Sequence, residues 1–504
     1  MADKTKFIEE LNAKYQPKGE YIVLGKGMLD GEVITEVDVN IPLKTINRHG
    51  LIAGATGTGK TKTLQVFVEQ LSHKGIPTLV MDIKGDLSGI AVEGEQNDKI
   101  NERYAKTKLP YQPQSFPVEL MTISAEKGLK LRATVTEFGP VLLSKILGLN
   151  DTQSSIMSIV FKYADDKGLP LIDLDDLKKT LQYVTDNDEG KKELASNYGA
   201  ISPASLGAIL RSIVAMEQQG ATSFFGEPSF DVEDLLQTRG GKGVVNVLRV
   251  ADIQNQPQLF STFMLSLFAE IYMTFPEEGD SGKPKLVLFI DEAHLIFNEA
   301  SKALLSQIET MVKLIRSKGV GIYFITQIPG DVPENVLAQL GLKIQHALRG
   351  FTAKDRKEID KAVENYPITE YYDAGNLIQN LGIGEAFVTA LDEKGIPTPL
   401  VQTYLISPES RMDVLSSDEI DDLVNASDLA EKYNKEIDKE SAYEILTKRM
   451  ETAAAAEQEV EQEKSTARQP KEEPGMFEQV LKSRAGRTFT NTLAREGAKF
   501  VLGM

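Results

Sequence analysis

This sequence predicts an α/β fold built on a parallel-majority sheet, and three observations carry the prediction. Short apolar runs recur along the chain, at Leu51–Ala53, Thr78–Met81, Val244–Val250, Leu286–Ile290, Gly321–Ile325 and Ile344–Leu348. Runs of this kind suit strands buried on both faces, whereas strands with one wet face alternate. Amphipathic stretches lie between them; Leu64, Phe67, Val68 and Leu71 keep the i, i+3, i+4, i+7 spacing of a helix packed on a sheet. The third observation is a glycine-rich loop joining the first of these strands to that helix, where successive backbone N–H groups and the helix N-terminus can receive phosphate.

Taken in order, residues 1–49 read as a β-rich segment, with apolar alternation in Tyr21–Leu24 and Val33–Ile41. The strand–helix core occupies 50–90 and 240–410. The stretch between, 91–239, is too long for a loop, and Val141–Leu149, Gln153–Ala164 and Leu174–Val184 are helical in period. It reads as a mainly helical insertion. Glu385–Thr389 and Leu400–Leu405 resemble a pair of hairpin strands, and 411–450 is an acidic helical segment opened by the capping-box pattern Ser416-x-x-Glu419. Residues 451–475 hold almost nothing apolar and read as a linker. The last piece, 476–504, regains apolar residues and carries Lys482, Arg484, Arg487, Arg495 and Lys499 against Glu478 and Glu496, as a basic amphipathic tail would.

Composition narrows the function classes. At 504 residues the chain exceeds the size at which one core keeps growing. A formal net charge of −18 argues against non-specific coating of nucleic acid or anionic lipid, though a local basic groove remains compatible with it. The absence of cysteine removes disulfides, thiolate zinc sites and cysteine nucleophiles together. Four histidines, His49, His73, His294 and His346, are too scattered to suggest a metal cluster. The first residues lack the apolar stretch of a signal peptide, and Ser, Thr and Glu270 interrupt the apolar run Leu259–Phe275. A cytoplasmic protein with no membrane span is expected.

The chemistry is concentrated in two places. Gly54-Ala55-Thr56-Gly57-Thr58-Gly59-Lys60-Thr61, followed by Lys62, matches G-x4-G-K-[ST] in full. In such a loop the backbone wraps the phosphates, Lys60 neutralises the β- and γ-phosphates of ATP, and the Thr61 hydroxyl takes Mg2+. The apolar run Leu286–Ile290 ends in Asp291 and Glu292, which places Asp291 beside the metal and Glu292 where it can polarise a water for in-line attack. An adjacent glutamate favours hydrolysis over transfer to a small-molecule hydroxyl. Glu299–Lys318 reads as a helix with Leu304, Ile308, Met311 and Ile315 on one face and Arg316 near its end. The following strand ends in Thr326-Gln327, where an amide can sense the γ-phosphate or hold the lytic water. On the residues alone, Arg316 reads equally as a cation complementing the helix dipole.

Together these residues resemble the HerA/FtsK superfamily of hexameric RecA-like motor ATPases, and within it the HerA-like bacterial helicase-domain proteins. Further shared stretches are Asn47–Gly50 leading to the glycine-rich loop, Asp82-Ile83-Lys84-Gly85-Asp86-Leu87-Ser88-Gly89, Arg316–Val320 and Leu348-Arg349. Gly139–Leu143, Leu149–Gln153 and Phe225–Pro228 extend the likeness into the insertion. The resemblance implies a RecA-like P-loop NTPase core with an inserted helical subdomain and a helical C-terminal tail. It also implies a homo-oligomer, a hexameric ring with ATP at subunit interfaces, in which Arg316 reaches a neighbour's site. Asp82 would lie near the nucleotide. No FtsK-type winged-helix DNA reader and no complete HerA-type N-terminal β-barrel is recognisable. Asp291-Glu292-Ala293-His294 also spells a DEAH box, but no Gln-x-x-Gly-Arg motif follows it.

Two functions stay open. One is a nucleic-acid motor whose Arg349, Lys354, Arg356, Lys357 and Lys361 contact phosphates, although these could equally be a solvated charged face. The other is an ATP-driven switch acting on protein partners, with the tail from Met476 as a docking helix. The sequence leans toward the motor.

Overall fold

Strands form at the predicted apolar runs, except that the one expected over Ile344–Leu348 lies earlier, at Leu342–Gln345. The computed structural model describes residues 3–253, 256–279, 281–299, 302–435, 437, 439–452 and 455. The strands are β1 (Tyr21–Leu29), β2 (Glu32–Pro42), β3 (Gly50–Ala53), β4 (Thr78–Asp82), β5 (Val118–Thr122), β6 (Leu129–Lys130) and β7 (Thr238–Arg239). They continue with β8 (Lys242–Gly243), β9 (Val245–Arg249), β10 (Leu286–Ile290), β11 (Val320–Thr326), β12 (Leu342–Gln345), β13 (Glu385–Thr389) and β14 (Val401–Leu405). Strands β7 and β8 pair only with each other, and the other twelve make one sheet in the order β2-β1-β14-β13-β12-β3-β11-β10-β4-β9-β5-β6. From β12 to β6 every pairing is parallel; from β2 to β12 every pairing is antiparallel. The sheet is parallel in majority, as expected, and β3, β4, β10 and β11 are buried along their whole length.

The strand order positions the site. Strand β11 lies between β3 and β10, with Thr326 opposite Ala53 and Phe324 opposite Ile290. Neighbouring strands are about 4.8 Å apart, so the glycine-rich loop and the acidic pair leave the sheet about 10 Å from each other, with the tip of β11 between them. The helix Lys60–His73 buries Leu64, Phe67, Val68 and Leu71, and Phe67 packs on Phe289 of β10 and Tyr323 of β11.

Three expectations change. The first 49 residues are not β-rich throughout, since a helix, Lys4–Tyr15, precedes the β1–β2 hairpin. Its Asp3 cap and its buried Phe7, Leu11 and Tyr15, one every four residues, are its sequence signature. The stretch 91–239 is helical from Val135 to Gln218, but β5 and β6 within it belong to the main sheet. Glu119 interrupts the apolar run of β5 and disguises it; it is buried and paired with Arg239 of β7. The helix expected to begin at Val141 instead spans Val135–Ile146 and breaks at Gly139, where φ is 76°, just before Pro140. The capping box at Ser416 and Glu419 forms.

Residues Met1–Leu446 make one compact unit, with the expected borders at 49, 91, 239 and 411 inside it, and the described residues from Thr447 on lie outside that unit. The linker expected over 451–475, apart from residues 451, 452 and 455, and the tail over 476–504 lie outside the described residues. Among the described residues no helix is long and apolar enough to cross a membrane. The apolar helix Pro257–Thr274 is a core element, with Phe263, Leu267 and Ile271 fully buried.

Candidate nucleotide site

The loop Gly54–Gly59 leaves β3 and is held from both sides. The Gly54 N–H donates to the Thr326 carbonyl (3.3 Å) and the Ala55 N–H to the Ala347 carbonyl (2.8 Å). Gly54 also packs against His346, so closely that a Cβ there would stand 2.5 Å from His346 Cβ. Gly59, at φ 111°, starts the helix in a conformation that glycine adopts without strain. Thr56 and Gly57 are exposed at the crest, and the Thr58 hydroxyl donates back to the Ala55 carbonyl (2.7 Å). Lys60 is buried, and its ammonium donates to the carbonyls of Gly54 (2.6 Å) and Ala55 (3.1 Å). Burial, then Lys84, hold its pKa below the usual lysine value against the pull of Glu292 and Asp291. Thr61 is half-buried in the first turn. Lys62 points away, donating to the Met412 carbonyl (2.6 Å) and to Gln65 (3.2 Å).

Across β11, Asp291 and Glu292 are both buried. Burial pushes the Asp291 carboxyl up to about 6, with Lys84 opposing the rise. Glu292 has φ 46°, uncommon for a residue with a side chain, and the Asp291 carboxylate accepts its N–H (2.9 Å). The side chain of Gln327 is exposed just past the tip of β11. The sheet therefore brings the glycine-rich loop, the acidic pair and Gln327 to one edge.

Arg316 lies at the other edge. It sits in the short turn that ends the helix Lys302–Ile315, four residues before β11 begins. With Arg48, Lys313, Lys343 and Gly341 it lines a cleft of about 500 Å3 at the N-terminal ends of β3 and β12. The length of β11, seven residues at about 3.3 Å each, separates Arg316 from the acidic pair of its own chain. Arg349 donates to the Gln379 carbonyl, while Lys354, Arg356, Lys357 and Lys361 are exposed on the helix Ala353–Glu364.

Three side chains without a role in the sequence reading matter here. Lys84 follows β4, beside the tip of β10, and its ammonium lies 2.6 Å from Glu292 Oε1 and 3.7 Å from Asp291 Oδ2. Burial works against its charge, but the two acids outweigh it and raise its pKa. Asp82 ends β4, two residues before Lys84. Its carboxylate accepts the N–H groups of Gly85, Asp86 and Leu87, and so fixes the turn that carries Lys84. His346 backs the phosphate loop, its Nε2 2.9 Å from the Thr63 hydroxyl, and burial lowers its pKa to about 4. His49 ties β11 to the helix Lys302–Ile315: its Nδ1 accepts the Ile322 N–H (3.0 Å), which leaves Nε2 to donate to the Val312 carbonyl (2.8 Å). Their signal was positional, since Lys84 and His346 each follow a strand next to a motif-bearing strand.

Among the described residues no cluster of three His, Cys, Asp or Glu could hold a metal by side chains alone. Mg2+ binds through one or two protein oxygens together with phosphate oxygens, and a buried Asp291 carboxylate with the Thr61 hydroxyl fits that donor set.

The fold is that of the RecA-like P-loop NTPases. Two solved structures of the conjugative coupling protein TrwB superpose on most of the chain. The unbound monoclinic form has 14% identity, covers 81% of this chain and 95% of its own, and gives a TM-score of 0.52. The complex with a non-hydrolysable ATP analogue has 14% identity, covers 80% and 98%, and gives 0.51. In sequence, the chain belongs to the helicase HerA-like C-terminal family, whose profile matches residues 29–501. The DNA double-strand break repair helicase HerA of Saccharolobus solfataricus is 22% identical over 385 residues, covering 75% of this chain and 68% of that protein.

Proposed function

We propose that this protein hydrolyses ATP with Mg2+ and couples the cycle to movement along DNA, as a ring of identical subunits in the cytoplasm. The convergence of Gly54–Thr61, Asp291-Glu292 and Gln327 on one sheet edge is the observation that carries the reading. In this scheme Lys60 turns from the carbonyls of its own loop to the β- and γ-phosphates, while the amides of Gly54 to Lys62 cradle them. Thr61 and Asp291 would hold Mg2+, which when bound would supply positive charge to the phosphoryl oxygens. Glu292 takes up the proton of the attacking water, and Gln327 orients that water. Arg316, too far from its own site, completes the site of a neighbouring subunit. DNA as the track is supported by family membership, by the name of the archaeal relative, and by the exposed Lys354, Arg356 and Lys357.

ATPase activity measured with and without DNA tests the reading. DNA should stimulate turnover, and DNA affinity should fall steeply with salt through counterion release. Neutralising Lys354, Arg356 and Lys357 together should flatten the salt slope by about 0.9 for each phosphate left without its cation. An ATPase indifferent to DNA and RNA would point instead to a switch acting on proteins.

A further inference from the structure

The acidic pair poses an electrostatic problem that its neighbourhood solves with one side chain. Asp291 and Glu292 are adjacent, with 3% and 8% of their surface exposed. Two charges in so dry a place need a cation, because an unpaired buried carboxylate costs several kcal/mol. Lys60 donates to loop carbonyls. His294 Nδ1 lies 3.2 Å from Glu292 Oε2, but an imidazole supplies charge only when protonated. Among the described residues, Lys84 is the permanent cation that meets both acids, at 2.6 and 3.7 Å.

Its mounting combines a fixed base with a movable end. Asp82 pins the backbone just after Lys84 through three N–H groups, whereas the Lys84 side chain is 36% exposed on a flexible four-carbon stem. An ammonium so placed can leave the carboxylates without any rearrangement of the sheet.

We propose that Lys84 is a built-in competitor of the divalent cation: it neutralises Asp291 and Glu292 and yields them to Mg2+ only when the metal arrives with nucleotide phosphates. The inference rests on the metal and water roles proposed above for these two acids, and it assigns Lys84 a positioning role. While Glu292 is held by Lys84 it cannot take a proton from water, so release of Lys84 couples metal entry to activation of the base. A free divalent ion, without the added charge of the triphosphate, does not displace the ammonium.

Titration of the full-length protein with Mn2+ alone, followed by electron paramagnetic resonance, tests this without any turnover. The wild type should bind Mn2+ weakly at this site. Lys84→Met should bind it roughly 10- to 1,000-fold more tightly, the Boltzmann factor of removing one unit charge from about 4 Å in a partly buried site. Lys84→Gln keeps a hydrogen-bond donor toward Glu292 and should read the same way if the methionine variant folds poorly. Lys84→Arg should retain the wild-type exclusion. Adding Asp291→Asn to Lys84→Gln should erase the gained site, which separates it from loose binding to an acidic protein. Equal Mn2+ affinity in wild type and Lys84→Gln would overturn the proposal. Failure of the wild type to bind Mg·ATP would instead overturn the ATP reading, since the Mn2+ titration contains no nucleotide.

Discussion

The two ends of the parallel strands carry opposite chemistry. At the C-terminal ends lie the phosphate loop, two buried acids and Gln327, and the cations in reach, Lys60 and Lys84, are both engaged within the chain. At the N-terminal ends Arg48, Lys313 and Arg316 line a cleft whose wall, among the described residues, includes no carboxylate. About 20 Å of β11 separates them. In the proposed scheme, a chain that holds Arg316 at one end and the groups it would serve at the other does not complete the site by folding alone. A second copy, turned so that its N-terminal edge faces the first copy's loop, would.

The largest expected effect tests that reading. An arginine finger changes turnover by roughly 10³–10⁵, about 4–7 kcal/mol, whereas a helix-end cation contributes about 0.3–1 kcal/mol to stability alone. Arg316→Ala should therefore keep ATP binding and lose turnover. Mixed with Lys60→Ala subunits it should regain some, because one class of interface then pairs an intact loop with an intact Arg316. Undiminished turnover in Arg316→Ala, or full activity from a strict monomer, would leave Arg316 as a helix cap and dissolve the comparison.

At the other edge, Glu292→Gln should slow hydrolysis by about 10²–10⁴, the usual worth of a positioned general base, while Mg·ATP stays bound. Wild-type turnover in that variant would remove the base from the scheme.

The pH dependence of stability should differ in sign between two buried groups, one associated with each edge. Glu69, on the helix that follows the phosphate loop, accepts hydrogen bonds from Glu409 and Ser410, and burial raises its carboxyl to about 7. The folded state therefore keeps a proton that the unfolded chain has lost, and this contribution falls as pH rises from about 4.5 to 7. His49 is the reverse. Burial lowers it to about 4, so its contribution falls as pH drops from about 6.5 to 4. Each swing is roughly 3 kcal/mol at 1.36 kcal/mol per unit. Denaturant midpoints across pH should show Glu69→Gln and His49→Gln removing slopes of opposite sign; slopes unchanged by either variant would refute the assignment.

A smaller effect is expected at Gly54. Its missing Cβ leaves room for His346, so Gly54→Ala should destabilise the protein by about 1–3 kcal/mol through overpacking. A melting temperature equal to wild type would mean that the loop has more slack than its contacts imply.

Legibility followed the range of the interactions. The helix Lys60–His73, strand β10 with its terminal acids and the Ser416 cap depend on neighbours a few residues away, and all were readable. Strand β5 was not, because Glu119 is tolerable in a buried strand only with Arg239 beside it, and that partner arrives from a distant segment. The role of Lys84 was hidden for the same reason, since β4 lies next to β10 only in the folded sheet.

By itself the sequence determined the local chemistry: a backbone able to wrap phosphate, a strand ending in two acids, and a helix ending in arginine. Glycine φ angles, apolar period and side-chain type are properties of short segments, so they are written in order along the chain. Only the tertiary structure decided which strand tips are neighbours. The placement of β11 between β3 and β10, of Lys84 against Glu292 and of Arg316 at the far edge follows from how strands order themselves to bury both faces of the sheet. That ordering is a property of the whole buried surface rather than of any one segment.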